Sequence, residues 1–403
     1  MSDYPYYLTW GRQADLGAFP VRAAEHDEFV LDGGRRVYDF ISTSFQTNFG
    51  HSCAAIRDRV HEQLDAMPVA SPKASFDLKQ TVSERLIGLL GLERGKLFYT
   101  TSGSESVENA LKMARQARGT TKVLARSRSY HGASLGALSV TGDWRNEPHF
   151  TLDSETIRIP EPEHDPDLSK TRRLVEQAGA ENIAAVILET ITGANGVVIP
   201  NQAWYDGIAS LCQETGILLI ADEVLCGFGR TGADFAFQHY GLKPDLVCLS
   251  KGITGGYVPF GAVWTGPKLV DYYRDGVLAC GLTCYAHPLG LAALEGVLDL
   301  MSQQAFRENL ASLESVLKDS LAGLESQPWV KQVRIKGMLA AIDLVGPAPT
   351  WREFFDRGLH LFSKGSMIVV GPPLVSTPER LEAALTELGN VLTEKFTAVA
   401  LPA

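Results

Sequence analysis

Two residues at the ends of apolar runs carry the chemistry to be explained, Asp222 and Lys251. Ile217 to Ala221 is a short, uninterrupted apolar segment, the pattern of a strand buried on both faces of a parallel sheet. Asp222 falls where that strand ends. A second such pattern, Pro244-Asp-Leu-Val-Cys-Leu-Ser250, delivers Lys251, and the glycine-rich Gly252-Ile-Thr-Gly-Gly256 follows. A carboxylate at the end of a buried strand is costly to desolvate unless a cation meets it, and open α/β sheets place their ligands at that rim. A direct ion pair between Asp222 and Lys251 would satisfy both charges. The two-residue period of a strand, however, turns Val224 to the same side as Asp222, and an acid beside an apolar wall suits a flat heteroaromatic ring with a protonated nitrogen.

Other stretches add ligand chemistry. Lys96 to Arg115 reads as a strand, a Ser/Gly turn and a helix with Val107, Ala110, Leu111 and Ala114 on its apolar face. Ser102 and Glu105 have capping-box spacing, which alone means only that a helix begins. Free amides there, with Gly103 permitting close approach and Ser104 adding a hydroxyl, also make a phosphate site. Ser129-Tyr-His-Gly132 follows a strand from Lys122 to Ala125; His131 either positions a ring or is a satisfied core histidine. Ile183 to Thr190 is a further buried strand, with Glu189 at its carboxyl end.

Asp222-Glu-Val-Leu-Cys-Gly-Phe-Gly-Arg-Thr-Gly232 and Ser250-Lys-Gly-Ile-Thr-Gly-Gly256 resemble the signature of the class III (omega) aminotransferases, and matching motifs run in order from about Trp10 to about Glu382. The resemblance implies pyridoxal 5'-phosphate (PLP) as cofactor, Lys251 as its Schiff-base lysine, Asp222 on the pyridine nitrogen and Val224 packed on the ring. It implies that Gly103 and Ser104 hold the phosphate, that Tyr130 stacks opposite the valine, and that Glu189 lies near the cofactor hydroxyl or the substrate. Trp10 and Phe45 fall where relatives place substrate-channel aromatics, although each is also explained by packing. Thr283, in Cys280-Gly-Leu-Thr-Cys-Tyr-Ala-His-Pro288, matches a threonine that reaches the cofactor of the neighbouring subunit. The implied assembly is a homodimer with shared active sites, or a tetramer of such dimers.

The implied reaction moves an amino group from an amine or omega-amino acid, taurine or β-alanine among them, to a 2-oxo acid by a ping-pong Schiff-base mechanism. An aminomutase or racemase of the same fold would need no second substrate, and a non-catalytic binding protein would retain the fold without turnover. A lysine among cationic and aromatic neighbours should have a lowered pKa, as a proton shuttle needs. Where many relatives carry Gln after Asp-Glu-Val this chain has Leu225, a feature of the taurine-like branch. No arginine stands immediately before Gly371-Pro-Pro; Arg352 and Arg357 are the candidates from the smaller domain for a substrate carboxylate, and surface ion pairs explain them equally.

The elements that position these residues follow. The expected fold class is α/β, PLP-dependent transferase fold type I: a mainly parallel sheet flanked by helices in a large domain (48–289), with a smaller α+β domain built from 1–47 and 290–403. Phe29 to Asp39 reads as a hairpin with an Asp-Gly turn, Cys53–Met67 and Phe76–Leu90 as helices, Asp143–Lys170 as a surface loop, and Leu289–Leu324 as one long helix. A net charge of −10 over 403 residues argues against nucleic acid or an anionic membrane as partner. No window approaches the ~18 apolar residues of a membrane span. The six cysteines show neither CxxC nor a metal-ligand spacing, so they read as free thiols and no metal is expected. The opening Met1-Ser-Asp-Tyr-Pro-Tyr-Tyr has no basic region before an apolar core, and the expected location is cytoplasmic.

Overall fold

Continuous apolar runs become the central sheet of the computed structural model, which describes residues 4–149 and 153–399. Parts of the leader and loop expectations, at 1–3 and 150–152, lie outside the described residues. The seven strands of this sheet lie in the order Lys96–Thr100, Gly261–Thr265, Leu246–Leu249, Leu218–Asp222, Ile183–Glu189, Lys122–Arg126 and Thr156–Ile159. From Leu246–Leu249 onward they are parallel, and Gly261–Thr265 runs antiparallel to both its neighbours. Every residue of the three strands Ile183–Glu189, Leu218–Asp222 and Leu246–Leu249 is buried, as in a sheet covered on both faces. Register then sets the rim: Glu189 pairs with Asp222, and Asp222 with Cys248, just ahead of Lys251. The acid ends one strand, and the amine opens the short turn Lys251–Ile253 just past the end of the adjacent strand.

Helix Gly103–Arg118 packs Val107, Ala110, Leu111 and Ala114 into the core. Its N-terminus is only half a capping box. Ser102 Oγ accepts from the Glu105 N–H at 3.2 Å, but Glu105 Oε2 accepts from the N–H of Thr101 (2.8 Å) rather than from that of Ser102. Gly119, at φ +67°, closes the helix in the left-handed conformation that glycine favours.

Two four-stranded sheets flank this one. The first orders Val21–Glu25, Glu28–Leu31, Arg36–Asp39 and Leu359–His360, so the N-terminal hairpin is completed by a parallel strand from near the C-terminus. The second orders Val330–Lys336, Leu339–Leu344, Met367–Val370 and Phe362–Lys364, all antiparallel. Between the hairpin and the central sheet, Ser42–Phe45 forms one left-handed turn with φ of +44°, +46°, +64° and +65°. Such a conformation costs an L-residue about 1–2 kcal/mol.

Two expectations are corrected. The long helix is two helices, Pro288–Met301 and Gln304–Glu325, broken at Ser302 and Gln303. The first is buried nearly all round, whereas the second buries one stripe (Phe306, Leu310, Leu313, Leu317, Leu321), so the axis must change direction. No Gly or Pro marks the break, which hides it from the sequence. The supposed surface loop 143–170 holds the edge strand Thr156–Ile159 and the buried Glu161 and Asp165; four strand residues were masked by the polar composition around them. All six cysteines are unpaired. Among the described residues, no helix is long and apolar enough to cross a membrane.

Candidate active site

Above the row Glu189, Asp222 and Cys248 the sheet rim opens into a cavity of about 630 Å³, a size suited to a cofactor with its substrate. Trp10, Phe45, Gly103, Ser104, Tyr130, Glu189, Asp222, Val224 and Lys251 all line it. Thr283 does not. It lies exposed on a loop away from this cavity.

Asp222 is buried and doubly held: Oδ2 lies 2.7 Å from His131 Nδ1, and Oδ1 accepts from the Val224 N–H at 3.1 Å. His131 is therefore no mere core histidine, and its Nε2 is buried with no hydrogen-bond partner among the described residues. Among the described residues no ion pair joins Asp222 to Lys251, so the direct pairing expected as one way to satisfy both charges is absent. The Lys251 amine is lowered from the ordinary lysine value chiefly by burial, against the opposing pull of Asp222 and Glu189. The direction matches expectation, but desolvation is the main cause and the cationic neighbour Arg230 the least of those at work. The Lys251 backbone sits at φ +48°, a strained value of the kind found at functional sites.

Next along the chain Glu223 faces the opposite way, accepting from Thr190 Oγ1 (2.6 Å), the Ala236 N–H (2.8 Å) and the Phe237 N–H (2.9 Å). Burial lifts its carboxyl to about 7. Glu189 accepts from the Tyr130 N–H (3.0 Å) and the Gly193 N–H (3.2 Å), so it shapes the loop that presents Tyr130 while remaining on the cavity wall.

At the start of helix Gly103–Arg118, the Glu105 and Ser106 N–H groups are taken by Ser102, leaving those of Gly103 and Ser104 for a ligand. Two glycines keep this corner open. A Cβ on Gly103 would lie 2.7 Å from Val224 Cγ1, and one on Gly132 (φ +134°) 2.6 Å from Ser104 Oγ. Ser104 Oγ is itself held by Ser134 Oγ at 2.6 Å. Leu225 packs over the bare backbone of Gly193 and presents an apolar wall.

The sequence reading missed the cationic side of the cavity. Arg145 and Lys364 line it, with Trp144, Phe362 and Ser363. The Arg145 guanidinium sits over three rings, 4.6 Å from the centroid of Tyr130, 5.1 Å from Trp10 and 5.3 Å from Trp144, and pairs with Asp143. Lys364 Nζ lies 4.7 Å from the Trp144 ring. Arg352 and Arg357 are exposed and off the cavity, and Arg357 is paired with Glu387 and Glu394. The only sequence signal for Arg145 was Trp144-Arg145 within an otherwise acidic segment.

These donors fit PLP. A desolvated amine suits its aldehyde, a fixed carboxylate beside Val224 suits its ring, and two open amides at a helix N-terminus suit its phosphate. Fold and donor set define the class, a PLP-dependent transferase of fold type I. Comparison with known proteins narrows it: the model of the family Aminotransferase class-III matches residues 14–392, and the chain belongs to that family, the PLP-dependent transaminases. It is 34% identical to an omega-aminotransferase of Caulobacter vibrioides, covering 89% of this chain and 90% of that one. It is also 34% identical to an acetylornithine aminotransferase of Halalkalibacterium halodurans (97% and 98%). Among solved structures, a taurine:2-oxoglutarate aminotransferase of Bifidobacterium kashiwanohense, in complex with PLP and glutamate, superposes with a TM-score of 0.90 at 31% identity over 96% of this chain and 95% of that one. The protein is an enzyme that transfers an amino group from an amine donor to a 2-oxo acid.

Proposed function

We propose that the amine donor is an omega-amino acid, an amine with an acidic group at its far end, and that Arg145 receives that group. One observation carries this reading: a cation fixed by aromatic rings stands on the cavity wall, with Lys364 also on that wall. Similarity alone does not choose, since relatives named for different donors are equally identical to this chain. Asp143 serves as the internal counter-ion of Arg145, and an incoming carboxylate or sulfonate takes its place or shares the guanidinium fork.

When bound, PLP delocalises the charge left as a proton leaves the carbon beside nitrogen. Lys251 would hold the cofactor through its amine and would hold and move that proton; its burial favours the neutral amine such a base requires. Asp222, oriented by His131 and Val224, keeps the ring nitrogen protonated. Val224 and Tyr130, both on the cavity wall, would flank the ring and exclude water, and the amides of Gly103 and Ser104 would bind the phosphate.

Thr283 completes the phosphate site of a partner subunit in a homodimer. In support, it is exposed, and Val277 and Leu278 nearby in sequence expose apolar surface (81% and 40%). The domain division at 48–289 is supported by the central sheet, which lies wholly within it, and by the two smaller sheets, which lie wholly outside. Free thiols support a cytoplasmic location.

The test is a donor panel with pyruvate and 2-oxoglutarate as acceptors. β-Alanine and taurine should outperform alkylamines of equal length, and Arg145→Met should cut kcat/KM for the anionic donors about 10- to 100-fold, the worth of a charged hydrogen bond, with a much smaller loss on the alkylamines. Equal losses would refute the assignment. Lys251→Ala should abolish both turnover and the visible absorbance of lysine-bound cofactor.

A further inference from the structure

Four successive non-glycine residues, Ser42 to Phe45, hold positive φ. Conformations of this kind persist only where their surroundings over-determine them. The fastening here is specific. Asp39, fully buried, accepts from the Thr43 N–H (2.7 Å), Thr43 Oγ1 (2.9 Å) and the Ile41 N–H (3.4 Å). Two imidazoles fix the carboxylate in turn, His51 Nε2 3.0 Å from Oδ2 and His360 Nδ1 3.1 Å from Oδ1. Ser42 Oγ donates to the Gly371 carbonyl at 2.7 Å and receives Arg230 Nη2 at 3.1 Å. Gly371 is bare where the Phe45 ring passes; a Cβ there would lie 2.7 Å from Phe45 Cδ1.

The other side of the same turn faces the chemistry. Ile41, Ser44 and Phe45 line the cavity, and Lys251 Nζ is 5.8 Å from the centre of the Phe45 ring. His360 belongs to the short strand Leu359–His360, which leads directly into Phe362–Lys364, another stretch of the cavity wall. One carboxylate therefore ties together two walls of the pocket that are far apart in the chain.

We infer that Asp39, fixed by His51 and His360, is a positioning residue of the donor pocket: it holds the left-handed turn that aims Ser44 and Phe45 toward the Lys251 amine, and so limits the size of donor admitted. The inference rests on the reading of this cavity as the cofactor and donor site. Burial alone would raise the Asp39 carboxyl, but hydrogen bonds from His360 and His51 outweigh it and hold the group at about 2. The clamp is thus ionised throughout the neutral range.

The experiment uses full-length Asp39→Asn in two measurements. Amide exchange over residues 40–48, with and without PLP, should quicken about tenfold or more, while exchange across the strand Leu218–Asp222 and the visible absorbance of bound cofactor stay as in the parent. The ratio of kcat/KM for a bulky amine to that for a small one should shift at least about tenfold, since small misplacements at a reacting centre are costly. Adding Ser44→Gly should recover part of both changes, because glycine holds positive φ without strain. A lower melting temperature with an unchanged donor ratio would reduce Asp39 to a structural residue and overturn the inference. Unaltered exchange would overturn it too. Should Asp39→Asn fail to fold, His360→Phe removes one of the two imidazoles and must shift the ratio in the same direction. A parent enzyme inactive on every donor would sink the functional reading and the donor-pocket role with it, whereas unaltered exchange in the cofactor-free protein would sink the Asp39 clamp alone, so the two failures are told apart.

Discussion

Asp222 has two fixed partners, and the stronger is a histidine that sequence left between two roles. Replacing His131 with Phe keeps the bulk but removes the hydrogen bond, freeing the carboxylate to rotate. The expected result is a fall in kcat of about 10- to 100-fold with KM for the donor little changed, since a hydrogen bond to an ionised group is worth roughly 1.5–3 kcal/mol; an unaltered kcat in steady-state assays would show that Val224 suffices. Asp222, Lys251, Gly103 and Ser104 were legible because buried-strand ends and helix starts announce themselves locally. Arg145 and Lys364 were not, since each reaches the cavity together with its neighbours Trp144, or Phe362 and Ser363, from a segment outside the central sheet that only the tertiary fold brings to the rim. Which nitrogen of His131 meets the acid was likewise a matter of tertiary distance.

A helix start is useful here only because its first residue lacks a side chain. Gly103→Ala would place a methyl group 2.7 Å from Val224 Cγ1, so the helix start or the valine must shift and the wall proposed to hold the ring is disturbed. PLP affinity should weaken about tenfold or more by absorbance titration, and overpacking should cost about 1–3 kcal/mol in denaturant unfolding of the cofactor-free protein. Gly323→Ala, in a helix with open space around it, is the control and should be neutral or slightly stabilising. Strands and the helix Gly103–Arg118 followed from apolar period, yet the break at Ser302 and the strand Thr156–Ile159 did not, because both are decided by what packs above them. The left-handed turn is the extreme case. Nothing in Ser42-Thr-Ser-Phe45 signals positive φ; Asp39, His51 and His360 impose it from outside.

For the whole molecule, the exposed position of Thr283 turns an assembly question into one of catalysis. In the proposed shared-site dimer, mixing Lys251→Ala subunits with Thr283→Ala subunits would give mixed dimers in which one site carries both defects and the other carries neither. Activity of the mixture should exceed the mean of the two parent preparations, with mixed dimers counted by native mass spectrometry; strict averaging would mean that each chain completes its own site. The α/β class and the order of the motifs were readable end to end, whereas the joining of residues 36–39 to 359–360 into one sheet was not, since that pairing spans most of the chain. Adjacent acids at the end of Leu218–Asp222 carry a last consequence. Because neighbouring residues on a strand face opposite ways, sliding it by one place would swap Glu223 for Asp222: the longer carboxylate would crowd the ligand, and the shorter one would fall short of the Ala236 and Phe237 amides. Two acids of unequal length thus serve as a ruler, and only one alignment of the strand fits both marks.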